Sequence, residues 1–71
     1  METDIRKKLA AKIIELRKAR GFSQEDLAFK AQIDRSYMSR IERGLVSTGI
    51  INLEKIARAL EIKPYELLKF D

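Results

Sequence analysis

Arginine and serine side chains between residues 35 and 43 are the groups in this chain best suited to recognise another molecule. In an α-helix, which turns about 100° per residue, Met38 and Ile41 point in one direction and these polar side chains point away from it. An arginine guanidinium can bond to O6 and N7 of guanine, a serine hydroxyl can serve several bases, and the nearby Tyr37 hydroxyl suits a phosphate. These residue types predict that DNA bases are read by Arg35, Ser36, Ser39 and Arg40.

Two short helices joined by a tight turn must position this face. Ser23 can cap the first of them, with Asp26 three residues later in a short form of the capping box. The turn falls at residues 32–33, and Asp34 caps the second helix, which stops before Gly44. The inner face of the first helix consists of Leu27, Ala28 and Ala31. Any exposed helix carries polar residues, but a place on the second helix of such a pair favours DNA recognition over a plain solvated face.

Apolar residues recur at helical spacing in the rest of the chain as well. A first helix that ends at Gly21 is indicated by Ile5, Leu9, Ile13 and Leu16. A fourth helix, capped by either Gly49 or Asn52, is indicated by Ile50, Leu53, Ile56, Ala57 and Leu60. Pro64 suits the first position of a short fifth helix. No segment alternates with period two, so the sequence predicts one all-α domain of five helices over residues 1–71.

The composition argues against several classes of function. The 71 residues include no cysteine and no histidine, which removes disulfides, thiolate metal ligands and the commonest general base. No cofactor or metal is expected, and an enzyme has little support because no nucleophile–base pair is evident. No apolar run approaches the roughly 20 residues that span a bilayer, and the acidic start at residues 1–4 is unlike a signal peptide. A cytoplasmic protein without membrane contact is the expectation.

The positive charge is concentrated at the start of the chain. The net charge is +4, and residues 1–20 carry all of it, with seven basic and three acidic side chains. Residues 21–71 carry eight of each sign. A basic first helix suits a phosphate backbone, although an ordinary solvated helix face explains the charge equally well.

Glu42 is the exception on the helix that carries the arginines. It lies about 70° from the buried direction of that helix, where a carboxylate needs a partner. Arg17, on the flank of the first helix, is the nearest candidate. The pattern predicts a structural ion pair between Arg17 and Glu42 that joins the first and third helices, which we favour over a functional role.

Taken together, four segments resemble the phage repressor/Cro-like (Xre-type) helix-turn-helix family. They are residues 16–28 (LRKARGFSQEDLA), 36–44 (SYMSRIERG), 53–60 (LEKIARAL) and 64–68 (PYELL). The likeness covers nearly the whole chain and is greatest to compact one-domain members such as restriction–modification controller proteins. It implies a five-helix transcriptional regulator that binds double-stranded DNA as a homodimer on a two-fold operator.

The resemblance also implies roles for individual residues. Gln24 matches a position that touches a phosphate and braces the recognition helix, and Arg43 with the loop after it matches positions that contact the DNA backbone. The Arg17–Glu42 pair matches an internal salt bridge of the family. The positions that meet base edges correspond to Arg35, Ser36, Ser39 and Arg40.

Two positions depart from the family pattern. Gln32 stands where the family usually has glycine, because the backbone there is left-handed; this conformation costs a non-glycine residue of order 1 kcal/mol. The loop at residues 45–49 lacks the basic and asparagine residues often found there. Phosphate contacts from this loop must therefore come from Ser47, Thr48 or backbone amides.

The homodimer is predicted to form through the fourth and fifth helices. Ile51 falls off the apolar stripe of the fourth helix and should point outward, near an apolar chain end that contains Tyr65, Leu68 and Phe70. Two-fold pairing would separate the recognition helices by one turn of DNA, roughly 34 Å. The alternative is that Tyr65, Leu68 and Phe70 close the core of the monomer itself.

Two other classes of function compete with a DNA-binding regulator. A protein-interaction module could keep the fold without binding DNA, but acidic or bulky apolar residues would then be expected where this chain has three arginines and two serines. An enzyme has the least support. No domain for sensing an effector is evident, so no small-molecule ligand is predicted.

Overall fold

The structure, a computed structural model, describes residues 4–70. It contains four α-helices: α1 (Ile5–Ala19), α2 (Gln24–Ala31), α3 (Arg35–Glu42) and α4 (Ile50–Ala59). A 3₁₀-helix follows at Pro64–Leu68. Residues 4–70 contain no β-strand, which confirms the all-α class. The predicted fifth helix is a 3₁₀-helix instead of an α-helix, a form that proteins use in short pieces.

Side-chain caps define the starts of α2 and α3. Ser23 Oγ accepts from the Asp26 amide at 3.0 Å, and Asp26 Oδ2 accepts from the Ser23 amide at 2.9 Å. Asp34 Oδ2 accepts from the amides of Ser36 and Tyr37 at 3.1 and 3.3 Å. Both predicted caps are therefore confirmed, since these bonds satisfy amides that have no partner inside the helix.

The beginning of α4 differs from those of α2 and α3. Its N-cap is Gly49, and no side chain bonds to the first amides of the helix. The choice left open between Gly49 and Asn52 thus falls on Gly49, and Asn52 lies inside the first turn.

The turn between α2 and α3 has the left-handed backbone expected from the family pattern. Gln32 has φ 57° and ψ 44°, and the amide of Ile33 donates to the carbonyl of Ala28 at 2.9 Å. The chain turns between the two helices within three residues, and α3 follows directly on its Asp34 cap. The angle between the two helices depends on this short connection.

The core lies where all the elements meet. The helix α1 packs on α3 and on the 3₁₀-helix, and α2 packs on both α3 and α4. The largest fully buried side chains are Ile13, Leu27, Met38, Ile41, Ile56, Leu60 and Leu67. The inner residues expected on α2 and α3 are buried as predicted.

Two residues assigned to buried stripes are exposed. Ile5 and Ile50 carry the right helical spacing, but each is the first residue of its helix and lies largely in solvent, Ile50 with 80% of its surface exposed. Periodicity identifies the face of a helix, whereas burial also requires a neighbour at that level of the helix axis. Ile5 and Ile50 thus belong to the periodic patterns that indicated α1 and α4, but they are not part of the core.

Candidate nucleic-acid interface

The outer side of α3 presents cationic side chains to solvent. Arg35, Arg40 and Arg43 are exposed, whereas Met38 and Ile41 are fully buried beneath them. Within residues 4–70, no hydrogen bond or ion pair occupies the guanidinium of Arg35 or Arg43. We call the outer side of α3 the recognition face; it consists of Arg35, Ser36, Ser39, Arg40 and Arg43.

The two serines of the recognition face are not equivalent. Ser36 is exposed, and its hydroxyl donates to Asp34 Oδ2 at 2.5 Å, while Ser39 is half-buried. The hydrogen bond from Ser36 holds the pKa of the Asp34 carboxyl below its usual value. Since the Ser36 proton already serves the helix cap, the oxygen remains free to accept from a base amino group.

Arg40 extends back along α3 toward its start. Its guanidinium carbon lies 5.7 Å from the centre of the Tyr37 ring, and its charge also lowers the pKa of Asp34. The Tyr37 ring is half-buried against the core. Tyr37 thus supports Arg40 from below by a cation–π contact, a role that spacing along the sequence did not suggest.

A buried polar network joins the three helices nearest the recognition face. Arg17 Nε donates to Glu42 Oε2 at 2.9 Å, and Arg17 Nη2 donates to Glu42 Oε1 at 3.0 Å. Arg17 Nη1 also reaches the carbonyl of Phe22 at 2.9 Å. Gln24 Nε2 donates to the same Glu42 oxygen at 3.1 Å. With 3% of its side chain exposed, Glu42 has its carboxylate satisfied from both α1 and α2.

The hydrogen bond from Gln24 to Glu42 fits the bracing role that the family resemblance implies for Gln24. Gln24 is the first residue of α2, and its amide is bonded to the last residue of α3. This hydrogen bond joins α2 and α3 at the ends that lie away from the turn at Gln32. The phosphate contact of Gln24 stays a prediction.

The loop after α3 has fewer accessible hydroxyl groups than the sequence suggested. Ser47 is exposed, but the Thr48 hydroxyl is buried and has no hydrogen-bond partner in the described part of the chain. A phosphate contact from Thr48 stays a prediction that requires its side chain to rotate. The uncapped amides at the start of α4 lie directly after this loop and are the other donors available there.

Apolar side chains are exposed on α4 and on the 3₁₀-helix. Ile51 and Tyr65 have 64% and 62% of their surface in solvent, and Leu68 is also exposed. Phe70 is half-buried, with the Lys8 ammonium 5.7 Å from its ring centre. The alternative that Tyr65 and Leu68 close the core fails, because Leu67 does so instead. Sequence reasoning also missed the exposed aromatic ring of Phe29 on α2.

Neither a membrane span nor a metal centre is found among the described residues. No helix within residues 4–70 is long and apolar enough to cross a bilayer. Over the same residues, no three or more acidic side chains come together in a way that could hold a metal ion.

The family assignment rests on a match over most of the chain. A helix-turn-helix family model matches residues 13–67. The chain belongs to this family. Control protein C.BamHI of Bacillus amyloliquefaciens is 39% identical over 71 residues, covering 99% of this chain and 88% of the relative.

Solved structures of the family share the same fold. The restriction–modification controller protein C.AhdI from Aeromonas hydrophila superposes with a TM-score of 0.88 at 43% identity, covering 92% of this chain and 98% of that one. SinR, a master regulator for biofilm formation solved in complex with DNA, superposes with a TM-score of 0.81 at 37% identity, covering 86% of this chain and 98% of the chain solved. This chain spans 55% of the full-length SinR of Bacillus subtilis.

Proposed function

We propose that this chain is a sequence-specific, DNA-binding transcriptional regulator that acts as a homodimer on a two-fold operator. The carrying observation is the recognition face, where three exposed arginines stand on a helix whose far end is anchored by the Arg17–Glu42–Gln24 network. Unneutralised arginines on a rigid helix suit a polyanion with hydrogen-bonding groups at fixed spacing. DNA in the solved complex of SinR supports the same reading.

In this proposal α2 and α3 form the helix-turn-helix, and α3 enters the major groove. Base edges are read by Arg35, Ser36, Ser39 and Arg40. Phosphates are contacted by Gln24, Tyr37, Arg43, Ser47 and Thr48. The mechanism is occupancy of the operator, which blocks or recruits polymerase, and it uses no catalytic residue or cofactor. Residues 1–71 act as one DNA-binding domain, in the cytoplasm where the operator lies.

The second copy of the chain is proposed to bind through α4 and the 3₁₀-helix. Ile51, Tyr65 and Leu68 are exposed there, and Phe70 lies at their margin. Burying them against a symmetric copy removes apolar surface from water, which a domain of this size needs because it buries only about 60% of its unfolded surface. The two recognition helices would then stand roughly 34 Å apart, one helical turn of DNA.

Selection of bound fragments from random duplex DNA tests this proposal. We expect enrichment of a sequence with two-fold symmetry, and an affinity for it that falls with salt by about 0.9 in log K per phosphate contact. A non-binding interaction module would enrich no sequence and show no salt-dependent anisotropy signal. That outcome would reject DNA regulation in favour of a protein partner.

A further inference from the structure

The N-terminal turn of α1 packs against the end of α3. Gly44, which follows α3, is buried and has φ +71°, a conformation that glycine adopts readily. A Cβ atom at Gly44 would lie 2.9 Å from Lys7 Cγ and 3.3 Å from Lys7 Cα. A side chain at Gly44 would therefore force Lys7 to shift, and the start of α1 lies directly against the end of α3.

The cations of this turn differ in how they are engaged. Arg6 binds Asp4 through a short ion pair, with Arg6 Nη2 2.7 Å from Asp4 Oδ2, and Lys8 lies over Phe70. Lys7 is exposed and makes no ion pair with any residue between 4 and 70. Its charge is one of those that lower the pKa of Asp4, but no ion pair within residues 4–70 occupies its ammonium, which an external anion can reach.

The neighbouring loop has a deficit of charge at the same place. Residues 45–49 carry no basic side chain, and of the two hydroxyls that were expected to replace it, that of Thr48 is buried. Arg6 and Ile5 line a groove together with Ser47 and Thr48, so the start of α1 lies directly against this loop. Arg6 brings a positive charge to this groove, and the next residue of α1, Lys7, carries a second one.

We infer that Lys7 is a phosphate-binding residue of the DNA interface, extending the contacts of Arg43 and Ser47 along one strand. This inference rests on the proposed function. Lys7 is held at its Cγ by Gly44 while its end remains in solvent, which suits a point-charge contact to the backbone that reads no sequence.

The test replaces Lys7 by methionine, which keeps the stem that packs on Gly44 and removes the charge. Lys63→Met is the matched control, since it removes the same charge from the segment after α4, at the end of that helix remote from the loop. Binding of each variant to the selected duplex and to a random duplex is measured by anisotropy between 0.1 and 1 M salt. Lys7→Arg, which restores the charge, provides the rescue.

One phosphate contact contributes about 0.9 to the slope of log K against log salt, so its loss weakens binding about eightfold at 0.1 M salt relative to 1 M. We expect this change per protomer for Lys7→Met on both duplexes, the parental slope for Lys7→Arg, and a smaller change for Lys63→Met. Equal slopes for Lys7→Met and Lys63→Met would overturn the inference while leaving DNA binding intact. A parent that binds neither duplex overturns the proposed function first and this inference with it.

Thermal unfolding followed by circular dichroism checks that the Lys7 variants are folded. Lys7→Met should unfold at the parental temperature, because the contact with Gly44 is made by the methylene stem. If Lys7→Met is unfolded, Lys7→Gln provides the same charge removal, and a parental salt slope in a folded Lys7→Gln also overturns the inference.

Discussion

The recognition face and the surface of α4 with the 3₁₀-helix expose opposite kinds of chemistry. On α3 the outermost side chains are arginines, whereas the other surface exposes Ile51, Tyr65 and Leu68. Arg35 and Arg43, which form no ion pair within residues 4–70, gain little from a second copy of a basic chain. Exposed apolar side chains gain little from a phosphate backbone. We therefore expect two distinct partners, an anionic polymer at one surface and an apolar protein surface at the other.

The largest effect is expected where both surfaces depend on one interaction. Glu42→Gln leaves Arg17 without its charged partner in a site where the Glu42 side chain is 3% exposed. Removing one member of a buried pair costs about 3–5 kcal/mol, a large part of the stability of a small domain. Urea unfolding followed by circular dichroism should show this loss of stability. DNA binding and dimerisation should be lost together.

The exposed pair between Arg58 and Glu54 provides the control for that measurement. Its atoms are 3.3 Å apart on the outside of α4, at spacing i, i+4, and such pairs contribute about 0.3–0.5 kcal/mol. Glu54→Gln should therefore leave the urea midpoint near that of the parent. A Glu42→Gln midpoint as high as that of Glu54→Gln would show that the network is not structurally required.

The second-largest effect is expected on dimerisation, at the surface formed by α4 and the 3₁₀-helix. Ile51→Glu places two carboxylates in the proposed interface, and losing the burial of two isoleucines costs about 3 kcal/mol per dimer, more than a hundredfold in dissociation constant. Sedimentation equilibrium measures the association. Phe29→Glu is the matched control, because Phe29 is 84% exposed on α2, outside the proposed interface. If Ile51→Glu dimerises as well as Phe29→Glu, the dimer uses another surface.

A smaller effect is expected at the recognition face. Arg35→Ala or Arg40→Ala should weaken binding to the selected duplex by about 1–3 kcal/mol and binding to a random duplex by less. Lys18→Ala, on the exposed end of α1, should change binding to both duplexes alike and leave the ratio between them unchanged. Equal losses on both duplexes for Arg35→Ala and Arg40→Ala would mean that these residues contact phosphates and do not read bases.

The smallest effect concerns the starts of α3 and α4. The pKa of Asp34 is lowered, first by the hydrogen bond from the Ser36 hydroxyl, so its cap stabilises the fold above the ordinary aspartate pKa of about 3.9 and is lost as pH falls through the lowered value. Asp4 caps α1 by accepting from the Arg6 amide, and the hydrogen bond from the Arg6 side chain lowers the pKa of Asp4 to about 2. Below pH 4, amide exchange protection should fall at the start of α3.

The start of α4 provides the internal control for that experiment. No carboxylate caps α4, so protection of its first turn should change less with acid. Asp34→Asn should remove the pH dependence at α3 while retaining a hydrogen-bonding cap. A pH response equal at both helices would show that global unfolding, and not the cap, is being measured.

The sequence predicted local features well because their causes are local. The Ser23 and Asp34 caps and the inner faces of α2 and α3 depend on residues within one helical turn. The left-handed backbone at Gln32 was expected from the family resemblance, and not from the residues around it. The choice of Gly49 over Asn52 could not be made, because neither residue has a distinctive side-chain partner that fixes the first turn of α4.

Other features depend on which segments meet in space. The burial of Leu67 instead of Leu68 follows from how the 3₁₀-helix lies on α1 and α4, and the exposure of Ile50 follows from its place at the end of a helix. The hydrogen bond from Gln24 to Glu42 and the cation–π contact of Arg40 with Tyr37 also depend on side-chain directions, which the spacing of residues along the sequence does not specify.

The helical class, the family and the cationic character of the face on α3 follow from periodicity, caps and residue type, which are properties of the chain alone. The approach of Lys7 to Gly44, and the position of Arg6 beside a loop without basic residues, depend on how α1 packs in the folded domain. Residues 7 and 44 are far apart in the chain. Their contact is set by the packing of α1 on α3, which no local pattern encodes.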